Sequence, residues 1–167
     1  LKANIVLAET YYYSGEYNKS IDTYKQCLAK SEELKRKKEA GRCLNGIGNV
    51  LFEKGDLNES LEFQKKALQI REEIDDVKGL GYSLNAVGNL YQAMNDLEQS
   101  LVYLKKAYEI RSLLANTRLI AVTLGNMGHV YWRMGDYKQA LKYNNKSLKL
   151  REKEEDLFGI AVVLNNI

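Results

Sequence analysis

Residues Leu44–Asp56 read LNGIGNVLFEKGD. Leu44, Ile47 and Leu51 recur at helical spacing. Yet glycines stand at 46 and 48 and asparagines at 45 and 49, residues that weaken a helix, Gly by up to about 1 kcal/mol against Ala. A helix written this way answers to something other than propensity. The constraint appears when the chain is laid against itself at a period of forty residues. Segments beginning at Gly41, Gly81 and Ala121 align without a gap, a weaker copy begins at Leu1, and another opens at Ala161 as AVVLNNI. The expected organisation is four repeats, 1–40, 41–80, 81–120 and 121–160, with 161–167 the start of a fifth.

The repeating columns have physical reasons. Column eight holds Ala8, Gly48, Gly88 and Gly128, column twenty Ser20, Ser60, Ser100 and Ala140, and column twenty-seven Cys27, Ala67, Ala107 and Ser147. All are small, as helices require where their backbones cross closely. Column fifteen holds Gly15, Gly55, Asn95 and Gly135, the types that tolerate a left-handed backbone past a helix end. Glu16, Asp56, Asp96 and Asp136 follow, with Glu59, Gln99 and Gln139 three residues on in three of the repeats, an acid-started capping box. Each unit therefore reads helix, tight turn, helix. Two apolar stripes on the second helix, one for its partner and one for the next unit, predict a stacked solenoid.

Composition agrees. The 167 residues are 45% hydrophobic and 28% charged, with no proline, and the β-branched residues do not alternate, so the expected class is all-α. No apolar run approaches the roughly 18 residues of a membrane span. A net charge of +3, from 25 basic and 22 acidic residues, is too balanced to argue for nucleic acid. Two cysteines make no disulfide framework, so a reduced, cytoplasmic setting is expected. The chain opens on Leu1 rather than Met and is expected to be cut from something longer.

The set of small and large residues, Gly48 with Leu51, Gly88 with Tyr91, Gly128 with Tyr131, resembles the tetratricopeptide repeat across the whole chain. The forty-residue period, and the lack of proline late in the second helix, depart from the common 34-residue form. With LNxxGN and the segments ALQIRE, AYEIRS and SLKLRE, they resemble the long-helix subclass of kinesin light chains, spindle-orientation adaptors and sensor repeats of microbial signalling proteins. The resemblance implies a right-handed superhelix of antiparallel helix pairs. It also implies a non-catalytic protein-interaction scaffold whose first helices line a concave groove.

Columns two, five, nine and twelve share one stripe of that first helix. They hold Arg42, Asn45, Asn49 and Phe52, then Tyr82, Asn85, Asn89 and Gln92, then Val122, Gly125, His129 and Trp132, with Asn126 and Arg133 adjacent. An asparagine ladder has donors and acceptors for an extended peptide main chain, and Phe52, Tyr82 and Trp132 have apolar surface for anchors. Arg42, Arg118 and Arg133 outnumber Glu53 there, so an acidic peptide or protein crossing repeats two to four is the favoured ligand, with Glu9 opposing this in the first repeat. A sensor segment of a larger kinase, cyclase or transcription regulator is the second functional class, and an RNA-binding solenoid the third, disfavoured by the charge balance.

Other residues carry weaker signals. His129 sits in an asparagine column and is expected to hydrogen-bond rather than ligate a metal. Cys27 is expected to be buried and inert, and Cys43 partly exposed. KRKK at 35–38 reads as the solvated end of a second helix. Arg71, Arg111 and Arg151 are expected to cap carbonyls or pair with Glu72 and Glu152. GIGNV follows no strand and is no dinucleotide fingerprint. No catalytic constellation and no cofactor motif appears. AVVLNNI leaves an apolar stripe without a covering helix, which predicts weak end-to-end association.

Overall fold

The computed structural model describes residues 1–165. Its described part is a chain of antiparallel helix pairs: α1 (Lys2–Tyr13) with α2 (Tyr17–Glu33), α3 (Lys37–Lys54) with α4 (Leu57–Glu73), α5 (Val77–Ala93) with α6 (Leu97–Leu113), and α7 (Thr117–Arg133) with α8 (Tyr137–Lys153). Helix α9 (Leu157–Asn165) opens a further pair. No strand occurs among the described residues. First helices of successive pairs touch one another, α1 with α3, α3 with α5 and α5 with α7, while second helices make no comparable contact with the next second helix. The stack therefore curves with the first helices on its inner side.

The turns are built alike. At the end of α3, Gly55 adopts φ 85°, its N–H donates to the Phe52 carbonyl at 3.0 Å, and Asp56 N–H donates to the Leu51 carbonyl at 2.9 Å, which satisfies the helix's last acceptors. Gly15, Asn95 and Gly135 take the same left-handed backbone. The sequence pattern did not reveal that the return turns do so as well, at Lys35, Asp75, Ala115 and Glu155. Asp96 and Asp136 accept from the N–H groups of Gln99 and Gln139 at 3.1 and 3.0 Å. Asp56 makes no such cap, so the aspartate half of the expected capping box forms in the third and fourth repeats and not in the second.

Small columns set the crossings. The Ser20 hydroxyl donates to the Ala8 carbonyl at 2.8 Å, and Ser60 to Gly48 at 2.6 Å. Cys27, Ala67, Ala107 and Ser147 are wholly buried. A Cβ at Gly128 would stand 3.2 Å from the backbone nitrogen of Asn144. Ile5, Ile47, Leu90, Leu104 and Met127 fill the core between the pairs.

Two expectations, for KRKK and for Cys43, are corrected. The first helices begin at Lys37, Val77 and Thr117, four residues ahead of the repeat starts read from the alignment. KRKK does not end a helix: Lys35 is the left-handed turn residue, Arg36 the N-cap, and Lys37 and Lys38 begin α3. There they pair with Glu73 at 3.0 Å and Asp76 at 3.6 Å, offsetting the unfavourable placement of cations at a helix N-terminus. Cys43 is fully buried rather than partly exposed, because it faces Cys27 and Ser31 across the first junction. On α9, Val162 and Leu164 are exposed while Val163 is buried. Asn166 and Ile167 lie outside the described residues.

Candidate functional site

Several cavities open on the inner face of the described residues, three of which bear on the stripe. One of about 520 Å³ is lined by Glu9, Tyr12, Tyr24, Arg42, Arg71 and Tyr82 among others. One of about 270 Å³ lies between α3 and α5, where Asn45, Asn49, Phe52, Tyr82, Asn85 and Asn89 come together above Arg111. A third of about 140 Å³ holds Asn126 and His129. Half of the expected stripe thus shares one concavity. Arg42 faces the first cavity, and Gln92, Trp132 and Arg133 line none of the three.

The asparagines are not spare. Gln64, buried on α4, donates from Nε2 to Asn49 Oδ1 at 2.9 Å and to the Asn45 carbonyl at 3.2 Å, and accepts from Asn45 Nδ2. Asn85 Oδ1 accepts from Arg111 Nη1 at 2.8 Å and from the Thr123 hydroxyl at 3.3 Å. Asn126 Nδ2 donates to Asn89 Oδ1 at 2.9 Å. Packing itself therefore needs Asn45 and Asn49: they satisfy the buried Gln64 amide, which would be costly to leave unpaired. The same bonds fix orientation. With Oδ1 engaged inward, the Nδ2 donors of Asn49, Asn85 and Asn89 make no hydrogen bond among the described residues.

The other stripe residues are also tied down. Arg42 pairs with Glu9 at 3.4 Å. Arg133 donates to the Gln92 carbonyl and to Asn95 Oδ1, the latter at 2.7 Å. Gln92 donates to His129 Nδ1, and the imidazole stacks on Trp132 with ring centres 5.8 Å apart. Burial, then the Arg133 charge, lowers the His129 pKa, so the ring is neutral and serves as an acceptor, as its column suggested. Among the described residues no cluster of three or more His, Cys, Asp and Glu is placed to hold a metal ion, and no helix is long and apolar enough to cross a membrane.

The largest departure concerns the late arginines. Arg71 Nη1 donates to the Gly79 carbonyl at 2.7 Å and the Ser83 hydroxyl at 2.6 Å. Arg111 Nη1 donates to Asn85, to the Leu119 carbonyl at 3.1 Å and to Thr123. Arg151 Nη1 bonds Asp156 at 2.7 Å. Carbonyl capping is as expected, but the acidic partner of Arg151 is Asp156 rather than Glu152. Arg71 and Arg111 are buried guanidiniums that join one pair to the next and reach the groove floor. Residue type alone argues against their burial, since arginine seldom is buried. Their recurrence opposite Gly41 and Gly81, which leave room for the side chain, was the available sign. Tyr12, missed as well, enters the groove and donates its hydroxyl to Glu53 at 3.4 Å.

The tetratricopeptide repeat model matches residues 1–73, 39–112, 79–153 and 119–167 in overlapping register. The chain belongs to the tetratricopeptide repeat family. No curated protein sequence matches it. Among solved structures it is similar to aspartyl phosphate phosphatase F from Bacillus subtilis, at 16% identity and TM-score 0.90, over 96% of this chain and 42% of that one. It is similar to a Rap protein complexed with competence and sporulation factor, at 20% identity and TM-score 0.85, over 98% of this chain and 46% of that one. Kinesin light chain repeats from Podospora anserina give 14% identity and TM-score 0.76, over 92% of this chain and 75% of that one. This tetratricopeptide chain spans less than half the length of the phosphatase and of the Rap protein. At such identities the likeness is one of fold.

Proposed function

We propose that the chain is a non-catalytic scaffold that binds an extended peptide or partner segment along the inner face of the first helices. The observation that carries this reading is the cavity between α3 and α5, where the leftover Nδ2 donors of Asn49, Asn85 and Asn89 stand beside the half-exposed ring of Tyr82. Donors spaced along two helices suit the carbonyls of a main chain, and an adjacent ring suits one apolar anchor. The Rap protein, of similar fold, is complexed with competence and sporulation factor, a precedent for ligand binding by such a stack.

The test begins with selection of binders from a displayed random-peptide library. The strongest peptide is then titrated into labelled protein. Shifts of the Asn49 and Asn89 side-chain amides, and an affinity at least tenfold weaker for Tyr82→Ala than for the outer-face control Leu141→Ala, are expected. Equal affinity of the two variants would refute the groove. Alanine at Asn49 and Asn89 is a poorer test, because Gln64 and Asn126 lose their acceptors with it.

A second reading, a sensor segment within a larger signalling protein, draws on the Rap and phosphatase neighbours, of which the chain covers 46% and 42%. It predicts that the selected peptide alters the output of an effector domain in the intact protein.

A further inference from the structure

Each late arginine of the second helix is followed, five residues on, by the N-cap of the next first helix. The pairs are Arg71 with Asp76, Arg111 with Asn116, and Arg151 with Asp156. Arg151 bonds its aspartate directly, and the Asp76 charge acts on Arg71. In the middle repeat the carboxylate is replaced by an amide. Asn116 Oδ1 accepts from Leu119 N–H and brings no charge.

Arg111 is therefore a guanidinium with only 3% of its surface exposed and, among the described residues, no carboxylate in contact. All its hydrogen bonds leave from Nη1, its Nε has no partner, and the Tyr82 ring lies 5.7 Å from its carbon. Burial lowers its pKa to about 10, so it stays charged at neutral pH. It lines the cavity of about 270 Å³, whose one acidic residue, Glu53, already accepts from Tyr12. Around it stand the leftover amide donors of Asn49, Asn85 and Asn89. A buried cation whose hydrogen bonds go only to the neutral acceptors of Asn85, Leu119 and Thr123, at the floor of an open cavity, is suited to a carboxylate.

We propose that Arg111 is the carboxylate-recognition subsite of the groove, taking one acidic side chain or the C-terminal carboxylate of the bound segment, and that Asn116 is the substitution that leaves it vacant for an external acid. This rests on the groove being the binding face. The three arginines that the sequence favoured for acidic ligands differ in kind: Arg42 and Arg133 are engaged within the protein, and Arg118 is solvent-exposed.

The experiment follows the Arg111 Nε–H resonance of the whole chain by NMR during titration with acetate, inorganic phosphate, and three capped tripeptides. N-acetyl-Ala-Asp-Ala-amide offers only a side-chain carboxylate, N-acetyl-Ala-Ala-Ala only a terminal one, and N-acetyl-Ala-Asn-Ala-amide none. A saturable shift with acetate and with one or both acidic tripeptides, absent with the Asn peptide, is expected, and the acidic peptide that shifts identifies the source. Asn116→Asp, which keeps the cap and adds an internal counter-ion, should weaken acetate binding at least tenfold. No saturable shift, a shift with phosphate alone, or equal binding by Asn116→Asp would overturn the subsite. If the selected library peptide shifts the groove amides while no carboxylate probe moves Arg111, the subsite falls alone. If acetate moves Arg111 while selected peptides ignore the groove, the groove reading falls and the anion site stands.

Discussion

The Tyr24 ring occupies the space where a side chain at position 46 would stand: a Cβ on Gly46 would lie 2.3 Å from the ring's Cζ. This explains the glycine that no crossing of paired helices accounts for. Tyr24 belongs to the second helix of one pair and Gly46 to the first helix of the next. The corresponding positions hold Gln64 with Ala86 and Leu104 with Asn126, so the second position grows as the first loses its ring. Gly46→Ala should cost about 2 kcal/mol by overpacking, read from urea unfolding. Combined with Tyr24→Leu it should cost less than the two changes summed. Strict additivity would mean that the two sites do not touch.

Glycines of one helix type should respond in opposite senses. At Gly88 a Cβ would meet Leu104 Cγ at 2.8 Å and its backbone nitrogen at 3.3 Å, and Gly88→Ala should lose about 2 kcal/mol. At Gly125 the nearest atom is Ser147 Oγ at 3.5 Å, an ordinary contact. Gly125→Ala should therefore gain up to about 1 kcal/mol of helix propensity. A destabilised Gly125→Ala would show the inner face to be tighter than described.

The return turns provide a backbone probe. Ala115 holds φ 49°, a conformation that costs an L-residue about 1 kcal/mol. Ala115→Gly should raise stability by roughly 0.5 kcal/mol, after the greater freedom of glycine in the unfolded chain is subtracted. The reverse change, Gly55→Ala, should lower it by about 1 kcal/mol, since no neighbouring atom lies within 4 Å of the added methyl. Thermal unfolding of both variants decides.

The first junction should weaken in alkali. Burial, then the adjoining Cys27, pushes the Cys43 thiol well above its ordinary range, whereas the unfolded thiol titrates near 8.5. The folded state thus holds a proton that the unfolded state releases. Stability from this group is intact below about pH 8.5 and falls as pH rises above it, by about 1 kcal/mol per pH unit. Burial raises Tyr24 in the same way, with loss beginning above about pH 10. Urea midpoints between pH 7.5 and 10 should fall in the parent and fall less steeply in Cys43→Ala. Identical slopes would contradict the buried, protonated thiol.

Fold and site were unequally legible. Gly55, Asp56 and the small columns announce turns and crossings through local backbone requirements, and these requirements survive in any context. Helix starts at Lys37 and Val77 were not visible, because the left-handed residues before them, Lys35 and Asp75, are not glycine. Helical periodicity sufficed to group Asn45, Asn49, Asn85 and Asn89, which line one cavity. Their engagement with Gln64, Arg111 and Asn126 depends on residues 15 to 41 positions away in the chain, beyond what a single helix's pattern encodes. Cys43 was misjudged because Cys27 and Ser31 of the preceding pair cover it, and the burial of Arg111 depends likewise on an adjacent pair, through Leu119 and Thr123.

The arginine that reaches from one pair to the next meets the same two groups at successive junctions, a carbonyl eight residues on and a hydroxyl twelve residues on: Gly79 and Ser83 for Arg71, Leu119 and Thr123 for Arg111. Were residues 77–116 excised, Arg71 would face the Leu119 carbonyl and Thr123 with its own Asp76 still beside it, and no new join would have to be invented. Duplication of the same segment would extend the array equally well. Its length is in effect a whole number of interchangeable links, open to gain or loss of one link by a single recombination within the gene.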